Sequence, residues 1–232
     1  PSPRTCCCQC ASSRLQVAGG KLQVAGGRSQ GVEARMVVLT DHRSLITDHR
    51  AAALSEVAPT FDLPGIDGRA YRLSDYAGSV VVLDFWSAQC PWSQHYDAWL
   101  AEQAPRWAGQ DVHLLAVAAN ADEEPALIAA VAAERGLTFP ILLDPDCRVA
   151  DAYGAETTPH IFVVDQAGRL AYRGAVDDRS FRQRTATRLY LSDALEALLA
   201  SRQPDPAETS PYGCALVRFA SPPGSATDKE AR

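Results

Sequence analysis

No stretch of this 232-residue chain approaches the roughly 20 unbroken apolar residues that a membrane-spanning helix needs. A basic surplus is missing too. The chain has 22 Lys and Arg against 28 Asp and Glu, a formal charge of −6. A general nucleic-acid binder would usually present a basic face, so that class is disfavoured. Seven cysteines are too few for a disulfide scaffold, in which cysteine exceeds about 8% of a short chain. Clustered metal ligands, phosphate-cradling glycine loops and a Ser–His–Asp constellation are not visible either, so neither a metal nor an organic cofactor is expected. What remains is the composition of an ordinary soluble protein, 47% hydrophobic and 22% charged.

The N-terminal stretch differs from the rest. Residues 1–35 carry five basic residues against Glu33 alone, a local charge of +4, leaving −10 for the remainder. L-Q-V-A-G-G occurs twice, at Leu15–Gly20 and Leu22–Gly27, and T-D-H-R twice, at Thr40–Arg43 and Thr47–Arg50. Aromatic residues are absent before Phe61. Such a segment buries too little apolar surface to offset its ordering entropy, so a disordered or non-native leader is expected over residues 1–55. The run after Arg14 is too broken for a signal peptide, and a cytoplasmic protein is therefore expected. C-C-C-Q-C at residues 6–10 lacks the second ligand pair that a zinc site requires. Met36, the only methionine, is the expected natural start.

Beyond the leader, strands and helices alternate. Ala58–Leu63 and Ala70–Leu73 flank P-G-I-D-G and read as a hairpin. V-V-V-L-D-F over Val80–Phe85 reads as a strand buried on both faces, as does Val112–Ala118. Pro91–Trp107, Glu123–Arg135, Asp146–Tyr153 and Leu189–Ala200 read as helices, and Phe139–Leu143 as a third core strand. Ile161–Val164 and Leu170–Tyr172 flank the turn D-Q-A-G and predict an antiparallel hairpin. The expectation is an α/β domain over residues 56–201 with a mixed sheet, followed by an extended Pro-rich tail over 202–232.

The chemistry converges on Cys90. It follows a buried strand and precedes Pro91, a residue favoured at the first helical position. A thiol at a helix N-terminus faces unpaired N–H groups and the positive end of the dipole, both of which favour the thiolate. Thr158–Pro159, just before a strand, adds a Pro position open to either isomer.

The stretch F-D-L-P-G-I-D-G-R-A-Y-R-L-S-D-Y-A-G-S-V-V-V-L-D-F-W-S-A-Q-C-P-W-S resembles the redoxins of the thioredoxin superfamily. That group includes the alkyl hydroperoxide reductase/thiol-specific antioxidant proteins and the membrane-anchored thiol–disulfide oxidoreductases. F-P-I-L-L-D-P-D-C-R-V-A-D-A-Y-G-A-E-T-T-P-H-I-F-V-V-D is similar to the cis-Pro region of the same family, and Y-G-C-A-L to a subgroup that closes on G-C-x-I. The resemblance spans about Ala58 to Val217. It implies a thioredoxin-like fold: a central mixed sheet flanked by helices, an N-terminal hairpin and a redoxin-type insertion. It also implies Cys90 as the attacking cysteine, Trp86 as the aromatic before it, Pro159 as the cis-Pro, and Thr158 as the residue whose backbone meets the substrate.

The departures matter as much. C-P-W-S puts Ser93 where a dithiol enzyme has its second cysteine, and Ser cannot resolve a mixed disulfide. Its hydroxyl is expected to donate to the Cys90 thiolate. In the peroxidase pattern P-x-x-x-T-x-x-C, Ser87 stands at the Thr position and Leu83 at the Pro position. Either Cys147, in the insertion, or Cys214, in the tail, could resolve Cys90; the alternative for each is an unpaired thiol, buried for Cys147 and flexible for Cys214. Trp92 is a candidate for the substrate rim or for the core, as is Trp99. His95 could tune the thiol or lie exposed. For Asp84 and His160, side-chain direction is open. The reading is a thiol oxidoreductase acting through a single nucleophilic cysteine, with a protein or small-molecule thiol or disulfide as partner and an external thiol as reductant. Its rivals are a one-cysteine peroxidase and a redox-inactive binding module.

Overall fold

The computed structural model describes residues 51–218. The leader expected over 1–55, with its crowded cysteines and Met36, lies outside the described residues as far as position 50, and the tail expected over 202–232 lies inside them only to 218. In chain order the elements are β1 (Asp62–Pro64), β2 (Ala70–Arg72), β3 (Val80–Trp86), α1 (Pro91–Ala108), β4 (Val112–Ala118), α2 (Pro125–Glu134) and β5 (Ile141–Leu143). They continue with α3 (Arg148–Tyr153), β6 (Thr157–Thr158), β7 (Ile161–Val164), β8 (Leu170–Gly174), α4 (Tyr190–Leu199) and β9 (Cys214–Ala215).

The central sheet runs β5-β4-β3-β7-β8. β3, β4 and β5 are parallel, whereas β7 runs antiparallel to both β3 and β8, so the sheet is mixed. Every residue of β3 is buried, as its unbroken apolar run predicts. Strand alternation sends Val80, Val82 and Trp86 toward a core shared with α1, α2 and α4. Val81, Leu83 and Phe85 go to the opposite core, with Tyr153 of α3 and Phe162. The fold is thioredoxin-like.

Two boundaries differ from the sequence reading. The first hairpin pairs Asp62–Pro64 with Ala70–Arg72, not Ala58–Leu63 with Ala70–Leu73. Pro59 has no N–H to give a ladder, and the chain before Asp62 instead packs inward, with Ala58 and Phe61 buried in the second core. Packing also begins earlier than residue 56. Ala52 is buried and its N–H donates to the Ala152 carbonyl at 3.0 Å.

Candidate active site

β3 delivers the chain to the top of the sheet, and α1 begins at Pro91 with Cys90 as its N-cap. The turn between them is held by side chains rather than by a ladder. Ser87 Oγ accepts the N–H groups of Gln89 at 3.2 Å and Cys90 at 3.1 Å, and donates to the Glu123 carboxylate at 2.5 Å. Glu123 also accepts the N–H groups of Ala88 (3.0 Å) and Gln89 (3.1 Å), and the amide of Asn120 at 3.3 Å. Beneath the turn, Trp86 Nε1 donates to Asp97 at 2.8 Å. Arg135 reaches the same carboxylate at 2.8 Å and the Ala88 carbonyl at 2.7 Å. The buried polar groups of this turn are thus paired, which offsets the cost of burying them.

The facing wall is the segment before β7. The Thr158–Pro159 peptide is cis. The Cys90 thiol donates to the Thr158 carbonyl at 2.8 Å. The chain's own C-terminal strand lies on the same two residues: β9 pairs antiparallel with β6, Thr158 opposite Cys214 and Thr157 opposite Ala215. This brings Cys214 Sγ to 2.7 Å from Cys90 Sγ. The two are unlinked thiols, farther apart than an S–S bond of about 2.0 Å.

Their electrostatics differ. Burial pushes the Cys90 thiol up, but donors outweigh it: the Cys214 thiol first, then the Thr158 side chain and the N–H of Ser93. The result lies below the ordinary cysteine value. For Cys214, burial and then the adjacent Cys90 push the thiol up to about 11. Of the pair, Cys90 is the one that ionises first, and the thiolate is the reactive form.

The other candidates are placed as follows. The Ser93 hydroxyl does not turn to Cys90; it accepts the Ser87 N–H at 3.3 Å, and the backbone N–H of Ser93 is what faces the sulfur. Trp92 is half-buried at the rim and meets Tyr212 edge-on at 4.9 Å. Trp99 packs on Trp107 in the core. His95 is exposed beside Arg179. Asp84 falls on the α1 face of β3, fully buried, and neither carboxylate oxygen has a partner. Burial, then Asp97 and Cys90, hold its carboxyl well above the usual range. The His160 ring turns behind the loop, where Nδ1 accepts the Glu156 N–H at 3.2 Å, and burial lowers it to about 4. Cys147 is buried in the second core with its thiol donating to the Ala119 carbonyl at 2.9 Å, and burial raises it. Glu123, Asn120 and Arg135 escape sequence reading. Glu123 reads as a first-turn acid of a helix and Arg135 as its last residue; α2 stops short of both, and no local pattern links either to residue 87 or 88.

Among known proteins, the AhpC/TSA family model matches residues 54–173, just over half of the chain. The thiol-disulfide oxidoreductase ResA of Geobacillus thermodenitrificans is 38% identical over 121 residues, covering 52% of this chain and 68% of that protein. An uncharacterized conserved protein from Geobacillus kaustophilus superposes with a TM-score of 0.68 at 29% identity, over 73% of this chain and 94% of that one. A Chlorobium tepidum protein assigned as thiol:disulfide interchange protein DsbE shares the fold, with a TM-score of 0.53 at 24% identity over 65% of this chain and 98% of that one. The chain belongs to the AhpC/TSA redoxin family of the thioredoxin superfamily.

Proposed function

We propose that the protein carries out thiol–disulfide exchange, with Cys90 as the attacking thiol and Cys214 as the resolving thiol. The observation that carries this reading is the 2.7 Å contact between a thiol biased toward the thiolate and a second thiol biased against it. In the first step the Cys90 thiolate attacks a substrate disulfide; one substrate sulfur leaves as a thiolate and takes a proton from water. In the second, Cys214 loses its proton and attacks the Cys90 sulfur, and the other substrate sulfur leaves. The substrate gains two electrons and the protein pair loses them. An external dithiol, or two thiols, returns the pair to the reduced state. The sequence similarity to the thiol–disulfide oxidoreductase ResA supports this chemistry.

The short contact favours this two-thiol cycle over the single-thiol cycle that C-P-W-S suggests. Cys147 is a poorer resolver, since its thiol is committed to the Ala119 carbonyl inside the second core. A peroxidase is less favoured, because the Ser87 hydroxyl is spent on Glu123 and the turn rather than free for a peroxide oxygen.

The test is to treat the reduced protein with one equivalent of a small aromatic disulfide at neutral pH and map the products by mass without reduction. The expected product links Cys90 to Cys214. Cys214→Ala should instead accumulate the aromatic adduct on Cys90. An inert Cys90, or an adduct that persists in the wild-type protein, would overturn the reading.

A further inference from the structure

The strand that carries Cys214 occupies the place where a substrate would have to lie. It holds the backbone edge of Thr157 and Thr158 through its pairing with β6. Further along, the Leu216 N–H donates to the Glu156 carbonyl at 2.9 Å and the Val217 N–H to Asn120 Oδ1 at 2.9 Å, while the Val217 carbonyl accepts the Ala121 N–H at 3.0 Å. Ahead of it, Tyr212 covers Trp92. With the strand in place Cys90 is 2% exposed, so a disulfide from outside has no line of approach to its sulfur. The fit is tightest at Gly213. A Cβ built there would stand 2.1 Å from the Thr158 carbonyl oxygen and 2.6 Å from its carbon, both backbone atoms that cannot turn aside.

We propose that residues 212–217 are an internal competitor for the substrate site: the strand leaves to admit an extended cysteine-bearing polypeptide along Thr157–Thr158, and returns to expel it. The proposal rests on Cys90 and Cys214 being the exchanging pair. Backbone pairing on a strand edge recognises any extended chain, and the alternate side chains set preference. Here the preference is written by the resident strand. The residue before the substrate cysteine meets the Thr158 carbonyl, so the groove selects glycine there.

The cycle follows from this competition. Cys90 attacks the substrate disulfide while the strand is away, and the mixed disulfide holds the substrate on the edge. Cys214 reaches the Cys90 sulfur only as the strand re-pairs, and re-pairing takes the edge from the substrate. Bond exchange and product release thus become one event. The Asn120 side chain links the two walls, since its oxygen takes the Val217 N–H and its amide reaches Glu123, which holds the Cys90 turn.

The experiment uses the full chain and the peptide Tyr-Gly-Cys-Ala-Leu, carrying a thiopyridine leaving group on its cysteine. Thiopyridone release reads the first step, and the appearance of free peptide reads the second. Gly213→Ala should speed the first step severalfold and slow the second about tenfold, a change worth about 1.4 kcal/mol of docking. Leu216→Asp, which spoils a buried anchor beyond Cys214 without touching the Gly213 contact, should give the same pattern. A peptide with Ala for Gly should load more slowly. Cys214→Ser separates the two ideas. If it still releases peptide, the exchanging pair is wrong. If it blocks release while Gly213→Ala and Leu216→Asp match the wild-type protein in both steps, the resolving thiol stands and the competing strand is overturned.

Discussion

Cys90 caps an 18-residue helix, one short turn after a seven-residue strand that is buried along its whole length, whereas Cys214 sits in a two-residue strand. Around Cys90, Ser87, Glu123, Asp97 and Arg135 close a network in which the turn's N–H groups and the Ala88 carbonyl are taken up by side chains. Around Cys214 the bonds are mostly backbone pairings that any extended chain makes. One thiol is fixed by groups that cannot be replaced one at a time. The other is attached by contacts that can be made and unmade as a set. The difference fits the proposed division of labour, in which the attacking sulfur is held in position and the resolving sulfur is carried to it.

Two arginines test that contrast most strongly. Arg135 pairs with the buried Asp97, their side chains 17% and 4% exposed, whereas Arg218 pairs with Asp151 on the surface, at 37% and 62%. Removing one partner of a buried pair strands the other charge and costs about 3 kcal/mol or more. An exposed pair is worth under about 1 kcal/mol. Urea unfolding of Arg135→Ala and Arg218→Ala should reproduce that ratio. Equal losses would mean that the C-terminal segment is as integral to the fold as the Cys90 turn.

A pH-dependent effect is expected from Asp84, the unpartnered carboxyl beneath the Cys90 wall. Its folded value is raised by burial, so the native state holds its proton at a pH where the unfolded chain has released it. Stability then falls as pH rises from about 4, the unfolded value, toward the folded one, by about 1.4 kcal/mol for each unit between them. Asp84→Asn cannot ionise, so its stability should lose less between pH 5 and pH 8 than the wild-type protein does. Parallel pH profiles by thermal unfolding would show the carboxyl to be partnered after all.

The Cys90 half of this contrast was legible in the sequence, because its signals are local. An apolar β-branched run, a cysteine and a Pro at the next position specify strand, turn and helix start within the twelve residues Val80–Pro91, and the structure returns all three. The direction of Asp84 stayed open, because every residue of the strand is buried and alternation alone does not say which core a given position joins. The Cys214 half was not legible, because it depends on where a Pro-rich tail lands. That landing is decided by Gly213 against Thr158 and by Leu216 in the second core, contacts across more than fifty residues that no periodicity records. Cys147 stood open between a resolving thiol and a buried unpaired one, and the structure places it in the second core at the N-cap of α3. Ser93 was misread for a subtler reason. Helical spacing puts residue 93 beside Cys90, but the hydroxyl finds the Ser87 N–H, and the main chain supplies the donor.

That last distinction yields the finest test of how the two walls share the thiolate. Among the donors that hold Cys90 below the ordinary cysteine value, the Cys214 thiol ranks ahead of the Thr158 side chain and of the Ser93 backbone. Cys214→Ala removes the first while leaving the backbone pairing of residues 214 and 215 in place, so the pH at which Cys90 ionises should move up. Ser93→Ala keeps the N–H that faces the sulfur, so its midpoint should stay closer to that of the wild-type protein. Carbon NMR of labelled cysteine, followed against pH, reads the ionisation of Cys90 without needing a reagent to enter the closed cleft. The reverse order, a large shift for Ser93→Ala and none for Cys214→Ala, would return the tuning of Cys90 to its own helix. The C-terminal strand would then be a carrier of the second sulfur and not a contributor to the reactivity of the first.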